Sequence, residues 1–189
     1  MPRRAVFLDR DGVINNHGDY VNTVEDLHLI DGSAAAIRKL NDAGLPVYVI
    51  TNQGGIAFGY LTEAALETIH VNMLERLAEA GAHVDGIYSC PYHPKGTVPP
   101  FDRESSCRKP GIGMFELARD EHDLDLSTSY YVGDMTSDML AGQRAGCRTI
   151  LVATGFGGKD GEYEARPVLR AADLAEAVEI ILAELDIVA

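Results

Sequence analysis

The sequence predicts an α/β fold, a three-layer doubly wound parallel sheet carried by a single domain over residues 1–189. Two observations predict it. Short apolar runs of strand character alternate with longer stretches of helical periodicity, the order expected of a parallel sheet covered on both faces. Polar and glycine-rich clusters follow four of those runs, after Leu8, Ile50, Ser89 and Val132. Open parallel sheets place their ligands at such strand ends, near the switch in strand order.

Each element follows in turn. Ala5–Leu8 is an apolar run that stops at Asp9-Arg10-Asp11-Gly12. Ser33 is placed to cap a helix through Asn41, and Gly44 sits where a helix C-terminal glycine belongs. Pro46–Ile50 is a second buried strand, broken by Thr51-Asn52-Gln53-Gly54-Gly55. Thr62 opens the longest helix, Glu63–Ala80, ended by Gly81. There Leu66, Ile69, Met73, Leu74 and Leu77 recur at helical spacing as a core stripe. Val84–Ser89 is a third strand, followed by a loop from Cys90 to Pro110 rich in proline, glycine and serine, long enough to be functional. A helix over Ile112–His122, a strand Tyr130–Val132 ending at Gly133-Asp134, a helix Asp138–Ala145 closed by Gly146, a strand Thr149–Val152 and a helix Leu174–Leu185 complete the order.

Composition narrows the function. With 46% hydrophobic and 24% charged residues, the chain suits one globular domain with a sizeable core. No apolar run approaches the roughly 20 residues of a membrane span. The basic Met1-Pro2-Arg3-Arg4 is followed by an apolar run that ends at Asp9, short of the roughly 7–15 residues of a secretory signal. A soluble, cytoplasmic protein is expected. The net charge of −13 repels polyanions, which argues against nucleic acid as a partner and requires local cations wherever a phosphate binds. The odd set Cys90, Cys107 and Cys147 suggests reduced thiols.

The chemistry-bearing residues stand at the strand ends. Asp9 and Asp11 are two carboxylates that repel unless a cation or proton compensates, and hard oxygen donors favour magnesium. Taken alone, the same turn is also an ordinary helix start or loop. Thr51 and Asn52, with the glycine-rich backbone after them, suit phosphate oxygens, although Thr-Asn before glycine is also plain turn chemistry. Lys109, beside Arg108, can balance carboxylates and a transferring phosphoryl group, or be a solvated cation. Gly133-Asp134 and Asp138 add carboxylates at a fourth strand end, where Asp138 equally serves as a helix-start residue.

In order and placement, Asp9-Arg10-Asp11-Gly12-Val13-Ile14-Asn15, Thr51-Asn52, Lys109 and Gly133-Asp134-x-x-x-Asp138 resemble the four motifs of the haloacid dehalogenase superfamily. Gly18-Asp19-Tyr20-Val21, Thr51-Asn52-Gln53, Cys90-Pro91 and Cys107-Arg108-Lys109-Pro110 resemble, more narrowly, its heptose bisphosphate and histidinol-phosphate phosphatases. The resemblance implies a capless Rossmann-like domain with short loop inserts and a small phosphorylated sugar as substrate. It implies Asp9 as nucleophile and Asp11 as acid and base, the latter needing a raised pKa. Magnesium would be held by Asp9, the Asp11 backbone carbonyl and Asp134, with Asp138 in support. Thr51 and Lys109 would hold phosphoryl oxygens. Arg108, Asn52, Gln53, Gly54 and the loop His17, Gly18, Asp19 and Tyr20 would bind substrate. Capless relatives imply a monomer.

Two departures stand out. The family's structural zinc uses Cys-x-His and Cys-x-Cys, where this chain has Cys90-Pro91-Tyr92-His93 and Ser105-Ser106-Cys107. Cys90, His93 and Cys107 remain as a degenerate set, short of the four ligands structural zinc prefers. The alternatives are a loop held by prolines and packing, or a Cys90–Cys107 disulfide, which a reducing compartment disfavours. Met135 replaces the lysine that often follows Asp134, which removes a cation near the substrate and leaves substrate identity open. Two rival classes are an inactive phosphate-binding module and a receiver-like phosphoacceptor. The retention of Asp9, Asp11 and Lys109 argues against the first, and the Asp-x-Asp pair after the first strand against the second.

Overall fold

The computed structural model describes residues 2–16 and 21–187. Its six strands are β1 (Val6–Leu8), β2 (Val47–Asn52), β3 (Gly86–Cys90), β4 (Tyr130–Gly133), β5 (Arg148–Val152) and β6 (Leu169–Ala171). They form one parallel sheet in the order β3-β2-β1-β4-β5-β6. The helices are α1 (Ser33–Asp42), α2 (Glu63–Glu79), α3 (Gly113–His122), α4 (Thr136–Ala145) and α5 (Leu174–Glu184). The expected doubly wound α/β class is the one observed.

Period-two alternation sorts the strands onto two cores. Val6 and Leu8 of β1, Val47 and Val49 of β2 and Val132 of β4 pack with the apolar faces of α1, α2 and α5. Phe7, Tyr48, Ile50 and Tyr131 point the other way, onto Met114, Phe115 and Ala118 of α3 and Ala141 of α4. Phe115 meets Phe7 and Tyr131 edge-on, at centroid distances of 5.1 and 5.0 Å.

In α2, Thr62 accepts a hydrogen bond from the Ala65 N–H and caps the helix as expected. Leu66, Ile69, Met73 and Leu77 are buried, each burial contributing about 1.5–3 kcal/mol. Leu74 is instead exposed, because it lies one step round the helix from Met73. Ser33 is the first residue of α1 rather than its cap, which is Gly32 at φ 83°. The helix α4 begins at Thr136, two residues before the expected Asp138, and β6 has no counterpart in the sequence reading.

The chain winds outward from β1 to β3 and then crosses to β4 on the other side of β1. The crevice of such a sheet opens at that switch. Leu8, the last residue of β1, pairs with both Val49 and Val132, so the chain leaves β1 between the carboxyl-terminal parts of β2 and β4. Among the described residues, the segments 9–32 and 91–112 hold turns and single bridges rather than helices or strands. None of the described helices is long and apolar enough to cross a membrane.

Candidate active site

Asp9 is the first residue beyond β1, and its N–H donates to Val132 O of the neighbouring β4 at 2.9 Å. Asp134 is the first beyond β4, and Asp138 lies in the first turn of α4. Each offers a carboxylate oxygen within 4.8 Å of the others. Lys109 arrives from the long loop and is almost fully buried among them. Its Nζ lies 2.9 Å from Asp9 Oδ1 and 2.7 Å from Asp138 Oδ1, and donates to Ile50 O at 3.0 Å. Tyr131 OH sits 2.9 Å from the same ammonium and donates to Asp138 Oδ1 at 2.9 Å. Asp138 Oδ2 accepts from the N–H groups of Asp134 and Met135, as a capping-box acid does.

One ammonium faces three buried carboxylates, and the titration directions follow. Burial and then Asp138 push Asp9 well above the usual carboxylate range against the opposing pull of Lys109. Burial and Asp138 raise Asp134 to about 7. Burial disfavours the charged form of Lys109, yet Asp138 and Asp9 outweigh it and hold the ammonium above its ordinary value.

These residues fit a divalent cation. Asp134 Oδ1 is buried with no hydrogen-bond partner, and a cation is what such an orphaned oxygen lacks. The donors are hard oxygens, the set that suits magnesium. Backbone closes in on Asp134 from two sides. A Cβ on Gly12 (φ 81°) would lie 2.3 Å from Asp134 Oδ2, and one on Gly155 (φ 60°) only 2.0 Å away.

Asp11 lies two residues from Asp9 in a different environment. Arg10, buried although cationic, donates through Nε to Asp11 Oδ1 at 3.2 Å and through one terminal nitrogen to both oxygens at 3.0 Å. Asn15 Nδ2 donates to Oδ1 at 2.9 Å, and Gln53 Nε2 to Oδ2 at 2.9 Å. Burial acts to raise the Asp11 pKa, but Arg10 and these amides outweigh it and hold the carboxyl below its usual value. The expected raised pKa is therefore corrected to a lowered one, because a guanidinium lies beside the carboxylate. The carboxylate also stands apart from the acidic triad, so any part of Asp11 in metal binding falls to its backbone carbonyl.

Behind Arg10 stands His70 of α2, with Nε2 3.1 Å from the guanidinium. A guanidinium only donates, so His70 Nε2 accepts and the ring is neutral. Burial, reinforced by Arg10, lowers its pKa to about 4. The sequence reading missed Arg10, His70 and Tyr131. The one available signal for His70 was its place on the buried stripe of α2.

Asp9, Asp11, Asn52, Gln53, Arg108 and Lys109 line a cavity of about 840 Å³, which Phe58, His93, Phe156 and Glu162 also line. Several expected substrate contacts have structural partners. Asn52 clamps the Lys109 backbone, donating through Nδ2 to its O at 3.2 Å and accepting from its N–H at 3.0 Å. The Gln53 amide bridges inward, donating to Asp11 and, at 2.8 Å, to Thr51 Oγ1. Thr51 itself is buried and does not line the cavity. Gly54 lets Arg108 lie close, since a Cβ there would stand 3.2 Å from its guanidinium. The candidates His17, Gly18, Asp19 and Tyr20 lie outside the described residues.

The degenerate zinc set is not gathered. Cys90 and Cys107 are joined in a disulfide with a Cα–Cα distance of 5.6 Å, which leaves neither sulfur as a thiolate ligand. The His93 ring packs on Phe58 at 4.7 Å, and its Nδ1 accepts from the Lys95 N–H. The bridge also corrects the expectation of reduced thiols at these two positions, and Cys147 alone is free and buried.

The chain is similar to known proteins over most of its length. A family model described as HAD-hydrolase-like matches residues 106–177. A D-glycero-D-manno-heptose-1,7-bisphosphate 7-phosphatase from Thermosynechococcus vestitus is 45% identical over 193 residues, covering 98% of each chain. The chain belongs to the haloacid dehalogenase-like phosphatases. Another member of this phosphatase family, the D-glycero-beta-D-manno-heptose-1,7-bisphosphate 7-phosphatase of Escherichia coli strain K12, is 45% identical over 152 residues, 80% of each chain. Among solved structures, the D,D-heptose 1,7-bisphosphate phosphatase of B. bronchiseptica, complexed with magnesium and phosphate, matches with a TM-score of 0.84. It is 36% identical and covers 96% of this chain and 99% of its own. The haloacid dehalogenase-like assignment fits the order of the four strand-end clusters.

Proposed function

We propose that this phosphatase is magnesium-dependent and removes the C7 phosphate of D-glycero-D-manno-heptose 1,7-bisphosphate through an aspartyl phosphate on Asp9. The observation that carries the reading is the gathering of Asp9, Asp134 and Asp138 about Lys109, with Asp11 beside them in the same cavity. The names and high identity of the relatives support the heptose substrate. A small phosphorylated sugar fits the cavity, and we place the enzyme in the cytoplasm as a monomer of one domain.

Asp9, Asp134 and Asp138 would hold the magnesium ion, with the Asp11 backbone carbonyl. The bound ion supplies charge compensation for the carboxylates and for the transferring phosphoryl group. Asp9 Oδ1 is held by Lys109 and by the Arg10 N–H at 2.7 Å, which leaves Oδ2 to attack phosphorus. Lys109 steadies the carboxylate and the phosphoryl oxygens together. In the first step Oδ2–P forms and the ester P–O bond breaks; Asp11, its pKa lowered in the free protein but protonated once the anionic phosphoryl group beside it raises that pKa, gives its proton to the leaving sugar oxygen. In the second, Asp11 as carboxylate takes a proton from water, which attacks phosphorus and frees Asp9 and inorganic phosphate. Arg108, at the cavity wall, grips the anionic substrate.

The test is a panel of phosphorylated metabolites assayed with magnesium. Both heptose bisphosphate anomers should be turned over faster than histidinol phosphate or other small phosphomonoesters. Faster turnover of histidinol phosphate would overturn the heptose reading.

A further inference from the structure

We propose that Arg10 is a positioning residue for the chemical step, a buried fork that orients the Asp11 carboxyl for proton transfer to and from the substrate. The inference rests on the phosphatase reading given above, and it assigns a role to a residue between the two acids that neither takes phosphate nor holds metal.

The geometry carries it. Two nitrogens of one guanidinium meet both oxygens of Asp11 at 3.0 to 3.2 Å, the side-on arrangement that fixes the plane of a carboxylate as well as its place. The fork is itself held. His70 stands behind one terminal nitrogen at 3.1 Å, and Gln53 Oε1 accepts from the other at 3.2 Å. The same Gln53 amide donates to Asp11 Oδ2, so arginine, glutamine and aspartate close a ring of hydrogen bonds. Asn15 closes the remaining side on Oδ1. Arg10 is 1% exposed. A guanidinium so placed has almost no solvent to neutralise it, and its ionic partner is Asp11. Proton transfer in the transition state depends on alignment, and a displacement near 1 Å can cost about a hundredfold in rate. A carboxyl on a free rotor would wander on that scale; the fork removes the freedom.

Leaving groups separate this role from a merely structural one. A sugar alkoxide needs a proton to depart, whereas p-nitrophenolate departs without one. The quantity to compare is kcat/KM, which reports phosphoryl transfer to Asp9 rather than the later hydrolysis. Arg10→Lys keeps the charge but loses the fork. We expect kcat/KM for the sugar phosphate to fall about tenfold or more, and at least fivefold further than for p-nitrophenyl phosphate. Asp11→Asn should show the same leaving-group pattern, and the double variant should be no slower than Asp11→Asn alone. Equal losses on both esters, or additive losses in the double variant, would overturn the assignment. Should Arg10→Lys fail to fold in thermal denaturation, His70→Asn carries the same comparison: it retains Arg10 and removes its rear contact. A selective loss supports the fork and an equal or absent loss refutes it. A wild-type chain that hydrolyses neither ester would sink the phosphatase reading instead, a result distinct from either outcome.

Discussion

Asp9 and Asp11 are separated by one residue and differ in almost everything else. Asp9 shares its surroundings with two more acids and one ammonium, so burial and repulsion push its pKa up. Asp11 is met by a guanidinium and two amides, and its pKa goes down. One turn of chain thus presents two carboxyls of the same chemistry to opposite fields. The difference shows that residue type sets what a group can do, while its neighbours set which form it takes. The first surroundings call for an external cation; the second are complete within the protein.

The comparison can be broken most severely at Asp9. Asp9→Asn keeps the shape but removes the proposed nucleophile, so turnover should fall by about 10⁴-fold or more. Circular dichroism should show the fold retained, and unchanged hydrolysis would end the nucleophile assignment. Lys109→Met comes next. It leaves Asp9 and Asp138 buried without their ammonium, and losing one partner of a buried pair costs about 3–5 kcal/mol. Urea denaturation should show that loss, made smaller by saturating magnesium.

Metal removal sharpens the contrast through pH. Asp134 titrates near 7 in the folded chain against 3.8 ordinarily, so the folded form binds more protons across that window. Its contribution is fully present below pH about 4 and is lost as pH rises through 7. Asp11 has the opposite sign: its contribution holds above pH about 4 and is lost as pH falls below. In EDTA, thermal stability should therefore decline from pH 5 to 8, and magnesium should remove most of the decline. At a hundredfold excess over its dissociation constant the ion adds about 2.7 kcal/mol. A gap between the two conditions that does not change with pH would contradict this account. The smallest expected effect is Tyr131→Phe. It deletes one hydroxyl between Lys109 and Asp138 and keeps the ring against Phe115, at a cost of about 1–2 kcal/mol in urea denaturation.

Which of these residues a sequence reveals depends on how local their partners are. The strand ends were legible because apolar runs stop abruptly at Asp9, Thr51 and Asp134, and parallel topology places such ends together. The strand β6 was not, since Leu169–Ala171 is three residues long and includes a charged arginine. The burial of Arg10 between two aspartates is not legible locally, since its partners His70 and Gln53 lie far along the chain. The family resemblance implies Asn52 and Gln53 as substrate contacts; both line the cavity, and their side chains also bond Lys109, Asp11 and Thr51, which sequence alone does not show. The Cys90–Cys107 bridge is hidden from an argument about redox compartment, which carries no information about distance.

The placement of β1 beside β4 has a consequence for the order in which competence appears. Asp9, Asp11 and Thr51 come from the first third of the polypeptide, whereas Lys109, Asp134 and Asp138 follow more than fifty residues later. A nascent chain that has emerged only as far as β3 holds Asp9, the proposed nucleophile, with neither the Lys109 ammonium nor its remaining acids. On the proposed mechanism, ester cleavage begins only when the later half docks against the earlier one, which makes turnover a sensitive reporter of completed folding.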